Sequence, residues 1–413
     1  MLSVEEASEQ ILSIVPKMPV VEVSIDEADG MVLAKDLISP INIPPWDNSA
    51  MDGFALRAED LNAESDTTLR IVGMVAAGTF PEFTVPKGCA SGIMTGAPMP
   101  KGANAVVMVE QSNGSYTDEV VITAAAKQGQ NIRKQGGDVT AGAVALAAGT
   151  VLTPAAIGMA ASLGFAMVPV YRRPVVAILA TGDELAAPGT PIKLGQIYAS
   201  NNVVLAGMVR EAGGVALDLG IVPDNLEASV AAIDSAISQA DVLLTSGGVS
   251  MGEFDFVKAS FEKLGAKQAF WKVWMKPGKP LSFGRVVRDG REVALFGLPG
   301  NPVSCAVNFL QFTRPFLRTM VQHPRPHLPV VTATASEQFY DRSGRAKFIR
   351  VILTQTDAGW VVSKTGAQGS GILSSMVVAH GLLLMPTDVN TYEAGDRVKV
   401  QLLSTAFLDR ATR

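Results

Sequence analysis

Apolar runs and amphipathic stretches alternate through the middle of the chain. Residues 175–180 are uniformly apolar, residues 215–222 and 242–245 are further short runs, and glycine or small polar residues bound each, as in strands of a buried parallel sheet. Between them, residues 202–212 predict a helix that stops at Gly213 and Gly214. The next helix begins at Asp224, read as its N-cap, with Glu227 three residues on and Leu226, Val230, Ile233 and Ile237 at helical spacing. Strand and helix in alternation predict a doubly wound parallel sheet whose loops gather at the carboxyl edge of its strands.

The flanking segments have another rhythm. After a helix ending near Met320, the proline-rich residues 323–329 read as a linker. Beyond it, residues 330–335, 346–354, 359–364, 382–386 and 397–403 predict the strands of a small β-barrel or sandwich. At the other end, Ser3 and Glu6 have the spacing of a capping box, opening a helix with Ala7, Ile11, Ile14 and Val15 on one face. Residues 69–110 are short β-rich runs between glycines and prolines. No charge falls between Asp138 and Arg172, but Gly142, Gly149, Pro154, Gly158, Gly164 and Pro169 divide that stretch. It reads as strand, turn and a small-residue helix from about Pro154, not as a membrane span. The expected fold is an α/β multidomain protein. A discontinuous helical domain (1–22 and 142–172) carries an inserted β-rich domain (23–141), followed by the doubly wound domain (173–322) and a C-terminal β domain (323–413).

Composition restricts function more than fold. A chain of 413 residues exceeds one ordinary core. A net charge of −5 and the lack of any basic run exclude a nucleic-acid footprint or a polybasic membrane-surface segment. Cys89 and Cys305 lie far apart, which argues against a disulfide framework or a structural zinc set and suits a reducing cytoplasm; the N-terminus has no signal-peptide pattern. No H-E-x-x-H or Cys/His cluster points to zinc catalysis. Residues 248–252 match G-x-S-x-G, the hydrolase nucleophile elbow. Ser250, however, sits mid-loop instead of directly between strand and helix, and only His323, His327 and His380 could serve as the base.

The loops at the expected sheet edge carry the chemistry. In TSGGVSMGEFDF, Gly247 and Gly248 let backbone N–H groups approach a ligand, and Ser246 and Ser250 add hydroxyls. KPGKP puts Lys276 and Lys279 on one Pro-Gly turn. In GLPGNPVS, Pro299 and Gly300 precede Asn301, an N-cap, and Pro302 at the first helical position, so that a helix N-terminus with Ser304 faces the same edge. Any one such loop is ordinarily a tight turn, whereas three in succession with lysines describe an oxyanion or phosphate cradle. Glu184 in TGDEL, Asp224 and Asp255 follow successive strands, and carboxylates beside a phosphate cradle are what magnesium-assisted phosphate chemistry requires. Asp224 has a plain alternative as a helix cap. In PPWDNSAMDGFA an Asx-type turn explains Asp47 and Asn48 better than it explains Asp52.

TSGGVSMGEFDF, KPGKP and GLPGNPVS resemble the molybdopterin-binding domain of molybdopterin molybdenumtransferases, and the C-terminal part of gephyrin is similar. The resemblance extends over nearly the whole chain, since PPWDNSAMDGFA, SGRAKFIR and AQGSG match motifs that the shorter pterin adenylyltransferases lack. It implies the reaction in which adenylylated molybdopterin and molybdate give molybdenum cofactor and AMP. It also implies Mg2+ held by Asp224 and Asp255, and molybdate held by Lys276, Lys279, Arg345 and Ser370. Asp52, Thr95, Arg133 and Asp138 would complete the site from the other subunit of a homodimer. A pterin adenylyltransferase and apo-molybdoenzymes would be exchange partners. Two departures stand out: Ala199 in GQIYASN where many relatives are acidic, and Asn225 where a second aspartate is common. A pterin adenylyltransferase on the same domain and a non-catalytic pterin-binding scaffold are the alternative readings.

Overall fold

The computed structural model describes residues 1–248 and 256–403. Residues 1–22, 30–34 and 169–413 form one compact unit, and residues 23–29 and 35–168 form another.

The first unit is built on a six-stranded sheet in the order Val215–Val222, Val175–Thr181, Val242–Ser246, Arg291–Leu298, Pro280–Arg288, Lys267–Lys272. The first four strands are parallel, three of them at the apolar runs of the sequence. Arg291–Leu298 is a fourth that the sequence reading did not identify, and Pro280–Arg288 runs antiparallel to both of its neighbours. Helices Ser200–Glu211, Leu226–Gln239 and Phe256–Lys263 follow individual strands. Ile233 and Ile237 of the second helix, Val257 and Phe261 of the third, and Leu179, Leu243 and Leu295 of the sheet form one buried cluster. Each such side chain contributes about 1.5–3 kcal/mol by leaving water.

The second helix starts one residue later than its sequence suggests. Asn225, not Asp224, is its N-cap, the Asn225 side chain accepting the Ala228 N–H at 2.8 Å. Asparagine and aspartate cap equally well, and the extended backbone of Asn225 decides which of the two does so. Asp224 is therefore free of the structural task that would have explained it. The expected N-terminal capping box is present, with Ser3 and Glu6 exchanging bonds at 2.8 and 3.0 Å and Ala7 and Ile11 buried.

Strands Ala346–Thr356, Gly359–Lys364, Val330–Ala335, Arg397–Leu402 and Gly381–Met385 close into a five-stranded barrel, the last pairing with the first. Closure leaves no row of unpaired backbone groups. A two-residue strand, Met275–Lys276, adds to this barrel in parallel, with Met275 opposite Ala346 and Lys276 opposite Lys347. Lys276 thus belongs to a strand bound to the barrel rather than to a free Pro-Gly turn, and this attachment brings sheet loops and barrel loops together. The segment from Pro302 to Met320 is helical throughout, with one π-turn at Phe309–Thr313.

The other unit contains a five-stranded sheet in the order Ala105–Met108, Gly53–Leu56, Cys89–Ile93, Thr67–Val75, Glu119–Ile122. Phe54, Leu56, Leu69, Val107 and Val120 are buried on it. Gly53 is obligatory at its position, because a Cβ there would collide with the Val107 carbonyl oxygen. Helix Pro154–Ser162, capped by Thr153, buries Ala156 and Ala160. No helix among the described residues is long and apolar enough to cross a membrane.

Candidate functional site

Two adjoining cavities open in the first unit, with Asn301 lining both. The smaller, about 600 Å³, is lined by Thr181, Glu184, Ser246, Gly247, Gly300 and Asn301 among others. Gly247 and Gly248 have φ of +96° and +65°, and a Cβ on Gly247 would lie 2.6 Å from the Thr181 carbonyl oxygen. Both the conformation and the close approach demand glycine, so the backbone is bare where a ligand would meet it. Gly300 faces this turn, since a Cβ on it would lie 3.8 Å from the Gly247 Cα. Asn201 joins the two glycine loops, its Nδ2 donating to Ser246 Oγ at 2.7 Å and to the Gly300 carbonyl at 2.8 Å. Pro299 precedes this loop and is not among the lining residues. Ser250 and Asp255 lie outside the described residues.

Beside this cavity the carboxylates of the TGDEL loop and of Asp224 converge. The Asp224 N–H donates to Asp183 Oδ1 at 3.0 Å, and the Glu184 carboxylate folds back over Gly182. Burial, and then the charges of Asp183 and Glu184, raise the pKa of Asp224 above the ordinary carboxylate value. Carboxylates crowded in this way favour a hard cation with oxygen ligands such as Mg2+. Among the described residues, no group of three or more His, Cys, Asp or Glu is placed so as to hold a metal ion.

The larger cavity, about 640 Å³, is cationic. Lys276, Lys279, Arg345, Lys347, Arg350 and Lys364 line it with Asn301, Ser304 and Ser370, and Asp341 is its one carboxylate among the described residues. Lys279 lies over the Trp274 ring, 5.8 Å from its centre. Buried Asn308 shapes the lysine loop from behind, donating to the carbonyls of Gly278 at 3.1 Å and Pro280 at 3.2 Å. The glycine is required, since a Cβ on Gly278 would sit 2.9 Å from the Asn308 amide nitrogen. Fully buried Arg350 holds the AQGSG loop, donating to the Gly369 carbonyl at 2.9 Å and to Ser375 Oγ at 3.1 Å. Its own N–H donates to Gln368 Oε1 at 2.9 Å, and Ser370 is thereby carried to the cavity wall.

The helix N-terminus contributes differently from expectation. Asn301 occupies the N-cap position with Pro302 after it, but its side chain makes no capping bond. The Val303 N–H, one of the uncommitted donors of the first turn, is bound to the Ser370 carbonyl at 3.1 Å. The barrel loop therefore seals part of the helix end, and the cations replace it as the principal anion donors.

In the other unit, Asp52 and Thr95 meet: the Thr95 N–H donates to Asp52 Oδ1 at 2.6 Å, and bonds from Thr95 lower the Asp52 pKa. Asp47 is not a self-contained Asx turn, because it receives Lys134 Nζ at 2.7 Å and the Gln135 N–H at 2.8 Å. Arg133 pairs in register with Asn48, and the Asp138 N–H donates to the Ile43 carbonyl at 2.9 Å. The side chains of Asp52, Thr95, Arg133 and Asp138 are all exposed.

Asn201, Asn308, Asp341, Lys347 and Arg350 were not singled out by sequence reasoning. Arg350 and Lys347 lie within SGRAKFIR and Asn201 follows GQIYAS, but uncharged amides and buried cations announce a role only once their partners are located.

Comparison with known proteins matches three successive segments of the chain. Residues 2–164 match the family described as MoeA N-terminal region (domain I and II), residues 177–319 a probable molybdopterin binding domain, and residues 332–403 the MoeA C-terminal region (domain IV). The chain is 38% identical to molybdopterin molybdenumtransferase 2 of Mycobacterium tuberculosis over 97% of its length and 99% of the relative's. It is likewise 38% identical to a molybdopterin molybdenumtransferase of Haemophilus influenzae, covering 97% of this chain and 98% of that one. The crystal structure of a molybdopterin biosynthesis moeA protein from Pyrococcus horikoshii superposes with a TM-score of 0.82 at 30% identity, covering 97% of this chain and all of that one.

Proposed function

The chain belongs to the molybdopterin molybdenumtransferases, a family of molybdenum cofactor biosynthesis, and from that premise we propose that it releases AMP from adenylylated molybdopterin as it inserts molybdate. The observation that carries this reading is the pair of adjoining cavities: one lined by bare glycine backbone beside carboxylates, the other by cations, with Asn301 between them.

In this reading the glycine-lined cavity takes the pterin nucleotide. Ser246, Gly247, Gly248 and Gly300 offer the phosphoanhydride short polar contacts without side-chain obstruction, and Asn201 fixes the distance between their loops. Ser250 and Pro299 are assigned to the same binding set. Asp224 and Asp255 would hold Mg2+, which when bound neutralises charge on the phosphate that leaves as AMP, with Glu184 beside them as a catalytic carboxylate. Molybdate, a tetrahedral dianion, takes the cationic cavity. Lys276, Lys279 and Arg345 neutralise it, while Ser304 and Ser370 add neutral donors that orient it toward the dithiolene sulfurs. Asp52, Thr95, Arg133 and Asp138 are read as a second group of site residues, contributed across a homodimer. The four-part division of the chain, a cytoplasmic location, and a pterin adenylyltransferase and apo-molybdoenzymes as exchange partners belong to the same reading.

Purified protein incubated with adenylylated pterin and magnesium, with and without molybdate, tests it. AMP is expected only when molybdate is present. AMP release indifferent to molybdate would overturn the proposal, and consumption of ATP to adenylylate the free pterin would favour the adenylyltransferase alternative.

A further inference from the structure

Lys276 and Lys347 stand directly opposite each other on paired strands. Like charges in that position repel, and here one carboxylate lies between them. Asp341 Oδ2 accepts Lys276 Nζ at 3.0 Å and also pairs with Lys347 Nζ, while its Oδ1 is fixed by the Ser343 N–H at 2.6 Å. The Lys347 side chain is only 7% exposed, and that of Lys276 is 47% exposed. Two ammonium groups and one carboxylate leave an excess positive charge at the wall of a cavity already carrying Lys279, Arg345 and Arg350. A structural ion pair would need one lysine, whereas two lysines sharing a carboxylate form the seat of an anion, occupied by the protein's own side chain.

We infer that Lys347 is a further cationic ligand of the oxyanion pocket, and that Asp341 is a resident counter-ion which a tetrahedral dianion displaces from between Lys276 and Lys347. The inference rests on the reading of this cavity as the molybdate pocket. Burial, and then the charge of Lys276, lower the Lys347 pKa to about 8. The groups around it are Lys276 on the short strand, Tyr340 at the end of the strand Phe339–Tyr340, Asp341 on the loop that follows, Lys279 and Arg345 on the flanking turns, Arg350 on its own strand, and Lys364, which is paired with Glu337. A dianion in the seat favours the protonated amine. Binding therefore takes up a proton once the pH exceeds about 8, and affinity falls as pH rises through that value.

Calorimetric titration of the full chain with sodium molybdate at pH 7 and pH 9 tests this. Wild-type affinity should fall about tenfold between the two values, following the titration of one group. Lys347→Met keeps the buried aliphatic stem; it should bind molybdate about tenfold more weakly at pH 7 and lose that pH dependence. Asp341→Asn removes the competing anion and should tighten binding at pH 6.5, a sign opposite to that of a change that merely loosens the fold. If Lys279→Ala weakens binding but Lys347→Met leaves both affinity and pH profile unchanged, or if Asp341→Asn weakens binding, the inference is overturned and the molybdate pocket stands. Absence of molybdate binding by the wild type would remove the pocket reading itself, and this inference with it.

Discussion

The glycine-lined cavity and the cationic cavity share Asn301 but are built on opposite plans. In the first, the floor beside Ser246 is bare backbone, because Gly247 and Gly248 adopt conformations closed to other residues. The remaining wall is largely small, polar or apolar, with Glu184 as its one charged side chain among the described residues. The second is lined by side chains, and most of the neighbours that hold them are buried polar groups of the barrel and of the helix starting at Pro302. A backbone site tolerates almost no substitution at its glycines. A side-chain site with several cations degrades in steps.

Gly247→Ala should have the largest effect. The new methyl would meet the Thr181 carbonyl at a φ that alanine rarely adopts, costing about 1–3 kcal/mol of stability. Affinity for the adenylylated pterin should fall about a hundredfold, equivalent to roughly 2.7 kcal/mol, while molybdate affinity changes little. Equal losses at both ligands in calorimetry would erase the distinction between the cavities.

Lys279→Ala should weaken molybdate binding by about tenfold, the scale of one charge-assisted bond among several, with pterin binding and thermal stability unchanged. An unaltered molybdate affinity would remove Lys279 from the pocket.

How far these two plans could be read in advance follows from their construction. Gly247, Gly248 and Gly300 form a legible pattern because residue type and backbone geometry coincide, and three of the four parallel strands are visible as apolar runs at nearly their observed bounds, while Arg291–Leu298 is not. The barrel strands were equally plain, although only the pairing of Gly381–Met385 with Ala346–Thr356 distinguishes a barrel from a sandwich. Arg345 and Ser370 came from resemblance to a family, not from periodicity. Lys347 and Arg350 were passed over because a buried cation in a strand carries no local signal; its partners Asp341 and Gly369 lie on other loops. Asp224 was misread as a cap because Asn225 beside it is chemically its equal in that task.

That last point sharpens a smaller effect. With Asn225 capping the helix, Asp224→Asn should alter stability by less than about 0.5 kcal/mol, yet raise the magnesium concentration needed for half-maximal AMP release several-fold. An unchanged magnesium requirement would leave Asp224 outside the metal site.

The smallest expected effect concerns neither cavity and serves as their reference. His323 accepts the Arg325 N–H at Nδ1 among Arg314, Arg318 and Arg325, and burial together with those charges lowers its pKa to about 4. Its folded value lies below the unfolded 6.5, so the stability it supports is present above pH 6.5 and is lost as pH falls toward 4. For a half-exposed ring, solvent screening reduces this to about 1 kcal/mol. His323→Gln should flatten that part of the stability–pH curve in denaturant titrations without altering either ligand's affinity; an unchanged slope would mean that the imidazole is free to protonate in the fold.

In the proposed function the oxyanion and the pterin nucleotide occupy different cavities. Tungstate has molybdate's shape and charge, and a single anomalous difference map from a tungstate-soaked crystal would locate it. One tungsten peak is expected beside Lys276, Lys279 and Arg345. A peak against Gly247 and Gly300, with none beside the lysines, would contradict that placement.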